Sequence, residues 1–267
     1  MTSALDRLFR IEGKVALVTD SHNLASVDIA PLLAEAGATV VIADKAVEGG
    51  RAIANSIDPD GKRACFIPCD VESEEAVDAL FAEMRQRFGR CDILVNCAGL
   101  TANAPLTATR MDQYDAMASV NQRSTFMLMR GAVRLMLEAG KGGRIVNVTT
   151  IGALHPVLSG NAGYGATRAA VTAMTRAVAH DHAADQILAN IVMPGAVRGK
   201  TRFHPDLAAR LAAGEPLKGP AVDLERRMPL GMGSGEDIAA AVLYLVGPSA
   251  SYITGQSIVL DGGFLST

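Results

Sequence analysis

The sequence predicts an α/β fold built on a doubly wound parallel sheet of about seven strands, and two observations lead to this prediction. Short apolar runs rich in Val and Ile recur between turn residues, at 15–19, 39–43, 64–68, 92–96, 144–148, 188–193 and 257–260. Continuous runs of this length are typical of strands buried on both faces of a sheet. Segments with helical periodicity separate them, at about 26–36, 47–57, 73–88, 112–139, 164–183 and 236–247. Right-handed crossovers then place helices on both faces of the sheet.

The alternation of strands and helices continues along the 267 residues without an internal repeat or a low-complexity linker, so we expect a single domain, 1–267. One stretch, at about 196–235, follows a strand end and has no strand of its own. It is long, polar and rich in Gly and Pro. These properties favour a lid or substrate loop, and a surface excursion is the alternative.

Charge and composition exclude several classes of function. A net charge of −3 gives no basic footprint for nucleic acid or for an anionic membrane surface. No apolar run reaches the roughly 20 residues that span a bilayer, and the N-terminus lacks the apolar core of a signal peptide. We therefore expect a cytoplasmic protein with no membrane partner. The cysteines match no zinc spacing and indicate buried, reduced thiols rather than a metal site; they are Cys65, Cys69, Cys91 and Cys97.

Six short motifs occur in order along the chain. They are CDV (69–71), NCAG (96–99), Asn121 in SVNQRS, YGATR (164–168), Pro194-Gly195 and TGQSIVLDGG (254–263). With these motifs in this order, the chain resembles the classical short-chain dehydrogenase/reductase (SDR) family, which has a Rossmann fold. The resemblance implies cofactor contacts after the third, fourth and sixth strands, from Asp70, Val71, Asn96, Ala98, Gly99, Pro194 and Gly195.

The resemblance also implies hydride transfer between nicotinamide and a carbonyl or alcohol, which needs an acid/base group at the oxygen. A tyrosine hydroxyl titrates at about pH 10 and needs a nearby cation to act at neutral pH. The family supplies a lysine four residues after its tyrosine. Here Tyr164 is followed by Arg168, whose planar fork keeps the charge but cannot relay protons.

Two further residues match the family's active site. Thr150 stands where the family has a serine that orients the substrate oxygen, one residue farther from Tyr164 than is common, and Thr149 is an alternative. A strand-end threonine bonded to nearby backbone is the simpler interpretation of either residue. Asn121 matches the active-site asparagine.

The loop after the first strand departs most from the family pattern T-G-x-x-x-G-x-G, because it reads T-D-S-H-N-L-A-S over 19–26 and contains no glycine. Asp20 places an anion beside the expected pyrophosphate, and Leu24 adds a side chain where phosphate oxygens would lie. The following helix N-terminus still offers N–H groups to an anion. Asp20, Asn23 and Leu24 are the candidate contacts in this loop, and we expect impaired or unusual dinucleotide binding.

Asp44, at the end of the second strand, favours NAD as the possible cofactor. An acidic residue there would accept hydrogen bonds from the adenosine ribose and repel the 2′-phosphate of NADP. A solvated turn aspartate is the alternative interpretation.

Three functions stay open. The first is an NAD-dependent oxidoreductase acting on a small alcohol or ketone, with Tyr164 as acid/base, Arg168 as electrostatic activator, and Thr150 and Asn121 assisting. The second is a cofactor-independent enzyme similar to halohydrin dehalogenases, using Thr-Tyr-Arg. The third is a non-catalytic binding or regulatory subunit, since three glycines and a lysine are lost together.

The resemblance implies one further partner, a second copy of the chain. Members of the family commonly form dimers or tetramers through two long helices, here at about 112–139 and 164–183, and through the C-terminal segment. We therefore expect a homo-oligomer with a small-molecule substrate and no nucleic-acid partner.

Overall fold

The computed structural model describes residues 3–20, 24–198, 204–222 and 227–266, and a seven-stranded sheet forms its centre. The strands are β1 (Val15–Thr19), β2 (Thr39–Asp44), β3 (Ala64–Pro68), β4 (Ile93–Asn96), β5 (Gly143–Val148), β6 (Ile187–Pro194) and β7 (Ser257–Leu260). All neighbouring strands are parallel, and their order is β3-β2-β1-β4-β5-β6-β7. The predicted fold class is confirmed, and each strand lies within about one residue of its predicted bounds.

The strand order places a crevice at the carboxyl edge of the sheet. β1 pairs with β2 on one side and with β4 on the other, so the chain reverses its direction of winding at β1. In open α/β sheets, ligands bind outside the carboxyl ends of the strands at such a switch point. The motifs that follow β1, β2, β3 and β4 therefore meet at one edge.

Helices cover both faces of the sheet. They are α1 (Ala4–Phe9), α2 (Leu24–Glu35), α3 (Val47–Ile57), α4 (Glu74–Phe88), α5 (Met111–Ala118), α6 (Ser124–Ala139), α7 (Ala162–Asp181), α8 (Pro205–Ala212) and α9 (Gly235–Val246). Side chains alternate along β1, so that Val18 joins the apolar core under α2, α3 and α9, and Leu17 joins the core under α4, α6 and α7.

The prediction of a single helix at 112–139 is wrong in one respect. A π-helical turn, Ser119–Arg123, separates α5 from α6. At this turn the Ser124 N–H donates to the Ser119 carbonyl, five residues back. The hydroxyls of Ser124 and Thr125 also donate to carbonyls four residues back, at 2.6 and 2.9 Å. These local bonds compete with the regular helical pattern and turn Asn121 towards the end of β4.

The insertion predicted at about 196–235 leaves the sheet and returns to it at neighbouring points. An isolated bridge joins Val197 to Gly233, and α8 lies between them. The predicted loop is therefore partly helical among its described residues. The sequence pattern did not predict α1 either, where Ser3 and Asp6 form a capping box. None of the described helices is long and apolar enough to span a bilayer.

A buried cluster of side-chain hydrogen bonds around Asn96 joins β1, β4 and α6. Asn96 accepts from the Thr19 hydroxyl at 2.9 Å and donates to the Thr125 hydroxyl at 2.7 Å. It also accepts from the Ala98 N–H at 3.3 Å, and the residue is only 3% exposed. The amide therefore fixes the turn that carries the NCAG motif away from the sheet.

We expect Asn96→Ala to lower the free energy of unfolding by about 2–3 kcal/mol, because the substitution leaves buried polar groups of Thr19 and Thr125 without this partner. Urea denaturation followed by circular dichroism measures the change. Ser56→Ala, which removes an exposed bond within α3, is the control and should change stability by less than about 0.5 kcal/mol. An equal loss of unfolding free energy in the two variants would show that the hydrogen bonds of Asn96 do not stabilise the fold.

Candidate functional site

Tyr164 and Arg168 lie on the same side of the first turns of α7. Tyr164 is the third residue of the helix and is half-buried, whereas Arg168 is only 4% exposed. The guanidinium carbon of Arg168 lies 5.7 Å from the centre of the Tyr164 ring. A cation at this distance from an aromatic ring is attracted to it. The structure thus brings together the acid/base candidate and the cation that the sequence predicted beside it.

The Arg168 guanidinium is anchored to the NCAG turn. Its Nη1 donates to the Ala98 carbonyl at 2.8 Å, and a Cβ atom at Gly99 would overlap Nη2. Its Nε is buried and has no hydrogen-bond partner within the described residues. Gly99 is therefore required by the side chain of Arg168, which is longer and wider than the lysine of the family pattern.

Asn121 positions this turn rather than facing the cleft. Its side chain is fully buried, and it exchanges two hydrogen bonds with the backbone of Leu100, at 2.8 and 2.9 Å. Its amide also donates to the Thr167 hydroxyl at 2.8 Å, which in turn donates to the Tyr164 carbonyl at 2.8 Å. Asn121 thus connects the NCAG turn to α7 through Thr167.

Thr150 begins a short 3-10 turn, Ile151–Ala153, that packs against the start of α7. Its hydroxyl accepts from the Gly152 N–H at 3.1 Å, which leaves the hydroxyl proton free to donate. Asn161 donates to the Gly152 carbonyl at 3.0 Å and so ties the turn to the helix. The Thr149 hydroxyl is buried and has no hydrogen-bond partner in the part of the chain described. Thr150 is the better placed of the two candidates.

The loop after β1 keeps the backbone shape of a glycine loop at its first position. Asp20 has φ +61°, in the left-handed region where aspartate is tolerated better than most residues. The Asp20 N–H donates to the Ala43 carbonyl at 3.1 Å, and its carbonyl accepts from the Ser26 hydroxyl at 2.5 Å. Asp20 is 8% exposed. Asn23 lies outside the described residues; α2 begins at Leu24, whose side chain also lies outside the description.

A narrow acidic cleft of about 20 Å³ lies at the carboxyl ends of β1, β2 and β3. It is lined by Asp20, Asp44, Lys45, Cys69, Asp70, Val71, Glu72 and Ala98. The Asp44 carboxylate accepts from the Ala46 N–H at 2.9 Å and is 7% exposed. Lys45 is the cation of this lining, 3.7 Å from Asp70 and 3.3 Å from Glu72. Burial raises the pKa of Cys69 to about 12, so this thiol stays protonated.

Pro194 and Gly195 close the other side of the crevice. Pro194 ends β6, and the Gly195 N–H donates to the Leu260 carbonyl at 2.8 Å. A Cβ atom at residue 195 would lie 3.4 Å from the side chain of Ile151. The predicted residues after β6 and after β5 thus meet across the carboxyl edge of the sheet.

The residues fit a dinucleotide at both ends of the crevice and less well in the middle. The buried Asp44 carboxylate suits ribose hydroxyls, and the Arg168 guanidinium suits a ribose at the nicotinamide end. Between them, the Asp20 carboxylate lines the cleft after β1, where the resemblance implies a pyrophosphate, and like charges would oppose each other there. Among the described residues there is no cluster of three metal-ligating side chains.

Backbone hydrogen bonds hold the described part of the insertion over the loops beside α7. His204 N–H donates to the Thr101 carbonyl at 2.8 Å, and Ser159 N–H donates to the Lys218 carbonyl at 2.7 Å. A pocket of about 300 Å³ lies between α8 and these loops. A Cβ atom at Gly219 would lie 2.7 Å from the backbone at Leu158, so this close approach needs glycine. The described part of the insertion thus lies against these loops, and its role as a lid stays a prediction.

One ion pair ties the start of α8 to the start of α5. Asp206 accepts from Arg110 at 2.7 Å and from the amide of Gln113 at 2.6 Å. The hydrogen bond from Arg110 holds the pKa of Asp206 below its ordinary value. The pair is thus fully formed at neutral pH, and it is lost only as the pH falls through that lowered pKa.

Sequence reasoning missed the residues that act through hydrogen bonds rather than through motifs. They are Thr19, Ser26, Thr125, Asn161, Thr167, Arg110 and Asp206. Thr167 lies one helical turn after Tyr164, so its position on the catalytic face was readable. The contact between Arg110 and Asp206 spans 96 residues and has no local signal.

Comparisons with known proteins agree on one family. Residues 25–265 match the family described as enoyl-(acyl carrier protein) reductase. The chain is 34% identical over 261 residues to sorbitol dehydrogenase of Cereibacter sphaeroides, covering 95% of this chain and 98% of that protein. It is 32% identical over 267 residues to the 3beta-hydroxysteroid dehydrogenase of Mediterraneibacter gnavus, covering 96% of each.

A solved structure gives the same result. The gluconate 5-dehydrogenase of Burkholderia cenocepacia J2315, in complex with NADP and tartrate, matches with a TM-score of 0.86 at 31% identity. The match covers 99% of this chain and 100% of that chain. The fold and its length are thus shared along the whole chain.

Gly163 and Gly165 flank Tyr164 and give a matched pair of substitutions. We expect Gly165→Ala to lower the free energy of unfolding by about 1–3 kcal/mol, because its Cβ would lie 2.8 Å from the Gly152 carbonyl oxygen. Gly163→Ala should be neutral or slightly stabilising, because its Cβ would lie 2.8 Å from the terminal methyl of Met117, which can shift, and at an ordinary 3.5 Å from the Tyr114 ring. Thermal and urea unfolding measure both. Equal stability of the two variants would mean that the Gly152 carbonyl does not pack closely against α7 at residue 165.

We expect Asp206→Asn to loosen the insertion at neutral pH, because it removes the negative charge that Arg110 binds. Backbone amides of 204–222 should exchange with deuterium about two- to fivefold faster, with no change in the exchange of the sheet. Asp112→Asn is the control, because Asp112 binds the same arginine at 3.0 Å but lies on α5. Faster exchange in both variants alike would contradict a specific role for Asp206.

Proposed function

Because the chain belongs to the short-chain dehydrogenase/reductase family, we propose that it transfers a hydride between NAD(H) and a small alcohol or ketone. The observation that carries this proposal is the anchored Arg168 guanidinium beside the half-buried Tyr164 ring. The arrangement retains an acid/base hydroxyl and a fixed positive charge at the end of β4, although the lysine of the family pattern is absent.

The nicotinamide would supply or accept the hydride, and residues of this chain would handle the proton and the geometry. Tyr164 would give a proton to the substrate oxygen in reduction and take it back in oxidation. Thr150 would donate its free hydroxyl proton to the same oxygen and so orient the substrate. Arg168 would hold a fixed positive charge beside the Tyr164 ring. Asn121 would act through Leu100 and Thr167 as a positioning residue.

The preference for NAD over NADP is supported by the charge of the cleft. Asp44 is buried at the end of β2, and Asp20, Asp70 and Glu72 line the same space. A 2′-phosphate would enter this group of carboxylates, and Lys45, the cation among the described lining residues, already contacts Asp70 and Glu72. The gluconate 5-dehydrogenase structure holds NADP, so the choice between NAD and NADP in this chain depends on its own residues.

The substrate class is supported by the names of the relatives and by the charged insertion. Sorbitol and gluconate 5-dehydrogenases act, by name, on polyhydroxylated compounds. The pocket under α8 is lined by both charged and apolar side chains, among them Arg210, Glu215, Lys218, Leu207 and Leu211. We infer a small alcohol or ketone, because the relatives also include a 3beta-hydroxysteroid dehydrogenase and the pocket lining is not wholly polar.

We also infer a homo-oligomer, a dimer or a tetramer. Large apolar side chains stay exposed at places where the family commonly pairs. Phe126 and Leu137 on α6 are 53% and 43% exposed, and Val259 on the edge strand β7 is 38% exposed. Contact with a second copy would remove this surface from water.

Calorimetric titration with NADH and NADPH tests the proposal. We expect wild-type protein to bind NADH with a Kd of about micromolar and NADPH at least about tenfold more weakly, because of the like charge at Asp44. Asp44→Ala should reduce the preference for NADH to less than about threefold. Asp60→Asn, an exposed aspartate after α3, is the control and should leave the preference unchanged.

If neither dinucleotide binds, the oxidoreductase proposal is wrong. Assays with halohydrins and epoxides would then test the cofactor-independent alternative, and a search for a partner subunit would test the non-catalytic one. The comparisons do not favour these two alternatives. If NADPH binds as tightly as NADH, the role given to Asp44 is wrong while the reaction class stands.

A further inference from the structure

A cavity of about 450 Å³ lies at the amino edge of the sheet, opposite the edge that carries the candidate active site. The segments that lead into β1, β4 and β5 form it together with the end of α9. β5 has six residues, so it separates the two edges by roughly 17 Å. The volume of this amino-edge cavity falls in the range of pockets that bind small molecules, and neither Tyr164 nor Arg168 lines it.

The side chains that line the amino-edge cavity carry more positive than negative charge, although the chain as a whole has a net charge of −3. Glu12 pairs with Arg10 at 3.3 Å, and Asp92 pairs with Lys14 at 3.7 Å and also with Arg90. The carboxylates of the lining are therefore neutralised within the protein. The charged groups of the lining are four cations and two carboxylates: Arg10, Lys14, Lys141, Arg144, Glu12 and Asp92.

Arg144, the second residue of β5, is half-buried in this cavity and is held by backbone carbonyls. Its Nη1 donates to the Gly143 carbonyl at 2.9 Å and to the Gln186 carbonyl at 3.4 Å. Its Nε is buried and has no hydrogen-bond partner in the described part of the chain. Burial lowers the pKa of Arg144, but a guanidinium keeps its charge at neutral pH. Arg144 is thus a partly desolvated cation that neither carboxylate of the cavity neutralises.

Lys141 supplies a second cation, from the turn between α6 and β5. Gly140 and Gly142 flank it with φ +61° and +69°, so the turn depends on glycine on both sides. A Cβ atom at Gly142 would lie 2.6 Å from the Gln186 carbonyl oxygen, the same carbonyl that holds Arg144. Lys141 is exposed, lines the cavity and forms no ion pair with the residues that the structure describes.

Two cations without carboxylate partners favour an anion from outside the protein. A charged group that is partly removed from water is costly unless a group of opposite charge meets it. Guanidinium and ammonium groups both bind phosphate through charge-assisted hydrogen bonds. A phosphate monoester carries a charge of about −1.5 to −2 at neutral pH, which matches two cations. The cavity also has apolar lining, from Ile11, Val246 and Pro248, which suits the organic part of such a molecule.

We propose that the amino-edge cavity binds the phosphate monoester of a small organic molecule, with Arg144 and Lys141 as its charge partners. The phosphate lies between these two side chains, and the organic part packs against Ile11, Val246 and Pro248. Binding makes and breaks no covalent bond. The site does not depend on the proposed hydride transfer, because it lies at the opposite edge of the sheet.

A purely structural role for the two cations is the competing explanation. α6 ends two residues before Lys141, and α9 ends at Val246, which lines the cavity. The free carbonyls at helix C-termini attract cations, so Lys141 and Arg144 would stabilise the fold without any ligand. In that case Lys141→Gln would lower the thermal stability and leave the binding of anions unchanged.

Calorimetric titration of the full chain with phenyl phosphate, at low and constant ionic strength, tests the proposal. Inorganic phosphate and phenol are titrated in parallel, because each carries one half of the probe. The two cations are removed singly, in Lys141→Gln and Arg144→Gln, and circular dichroism checks that each variant is folded. Lys62→Gln is the matched control, because it makes the same change at a lysine whose side chain is 80% exposed and pairs with Asp60 outside the cavity.

We expect wild-type protein to bind phenyl phosphate with a Kd of about 0.1–1 mM and to show no binding of phenol. Inorganic phosphate should bind at least about threefold more weakly, because it gains no apolar contact. Lys141→Gln and Arg144→Gln should each weaken the binding of phenyl phosphate at least about fivefold, and Lys62→Gln less than about twofold. Phenyl phosphate should also slow deuterium exchange of the backbone amides at 141–146.

Three results would overturn the inference, and all of them leave the proposed function intact. The first is the absence of phenyl phosphate binding to wild-type protein at concentrations up to about 10 mM. The second is equal affinity in wild type, Lys141→Gln and Arg144→Gln, which would place the anion elsewhere or leave the cations with a structural role alone. The third is equal affinity for inorganic phosphate and phenyl phosphate, which would rule out an organic ligand.

Discussion

The hydrogen bond from the Arg168 guanidinium to the Ala98 carbonyl joins α7 to the carboxyl end of β4, and the geometry of the site depends on it. It fixes the long side chain of Arg168 over a residue without a Cβ atom, Gly99. Asn121 and Thr167 hold the same two elements together from the other side. One direct hydrogen bond and a bridge through Asn121 thus join α7 to this turn and set the position of Tyr164, which is half-buried. A guanidinium serves this role through reach and planarity, where an ammonium would serve it as a point charge.

The loop after β1 shows how a glycine motif is replaced without changing the course of the chain. Asp20 adopts the left-handed backbone that the pattern assigns to glycine, and Ser26 replaces close packing by a hydrogen bond to the Asp20 carbonyl. Both substitutions preserve the approach of α2 to β1. What changes is the electrostatic character of the space between them, from a neutral cradle of N–H groups to one that includes a carboxylate. The shape of the fold and the charge of its ligand site are therefore separable here.

Much of the fold was readable from the sequence, because buried parallel strands are short continuous apolar runs with sharp ends. The family membership was readable from the six motifs in order. The π-helical turn at Asn121 could not be predicted, because the hydroxyl bonds of Ser124 and Thr125 to carbonyls four residues back and the tertiary bonds of Asn121 to Leu100 together outweigh helix propensity. The position of Arg168 was predicted only in part. The spacing predicted a cation near Tyr164, but only the structure shows that its guanidinium donates a hydrogen bond to the Ala98 carbonyl and lies over Gly99. The ion pair between Arg110 and Asp206 joins segments that are distant in sequence, so no local sequence pattern predicts it.

The strand order also constrains how the chain is assembled during translation. β1 lies between β2 and β4, so its second edge stays open until the chain has been extended past Ile93. At typical synthesis rates the ribosome takes roughly 4 to 15 seconds to cover that distance. Once β3 has been synthesised, β1 would be the open apolar edge of a sheet of β1, β2 and β3, and an open edge of this kind can pair with another strand. Chaperone protection of the nascent chain would be needed most in this interval, before the NCAG turn has been synthesised.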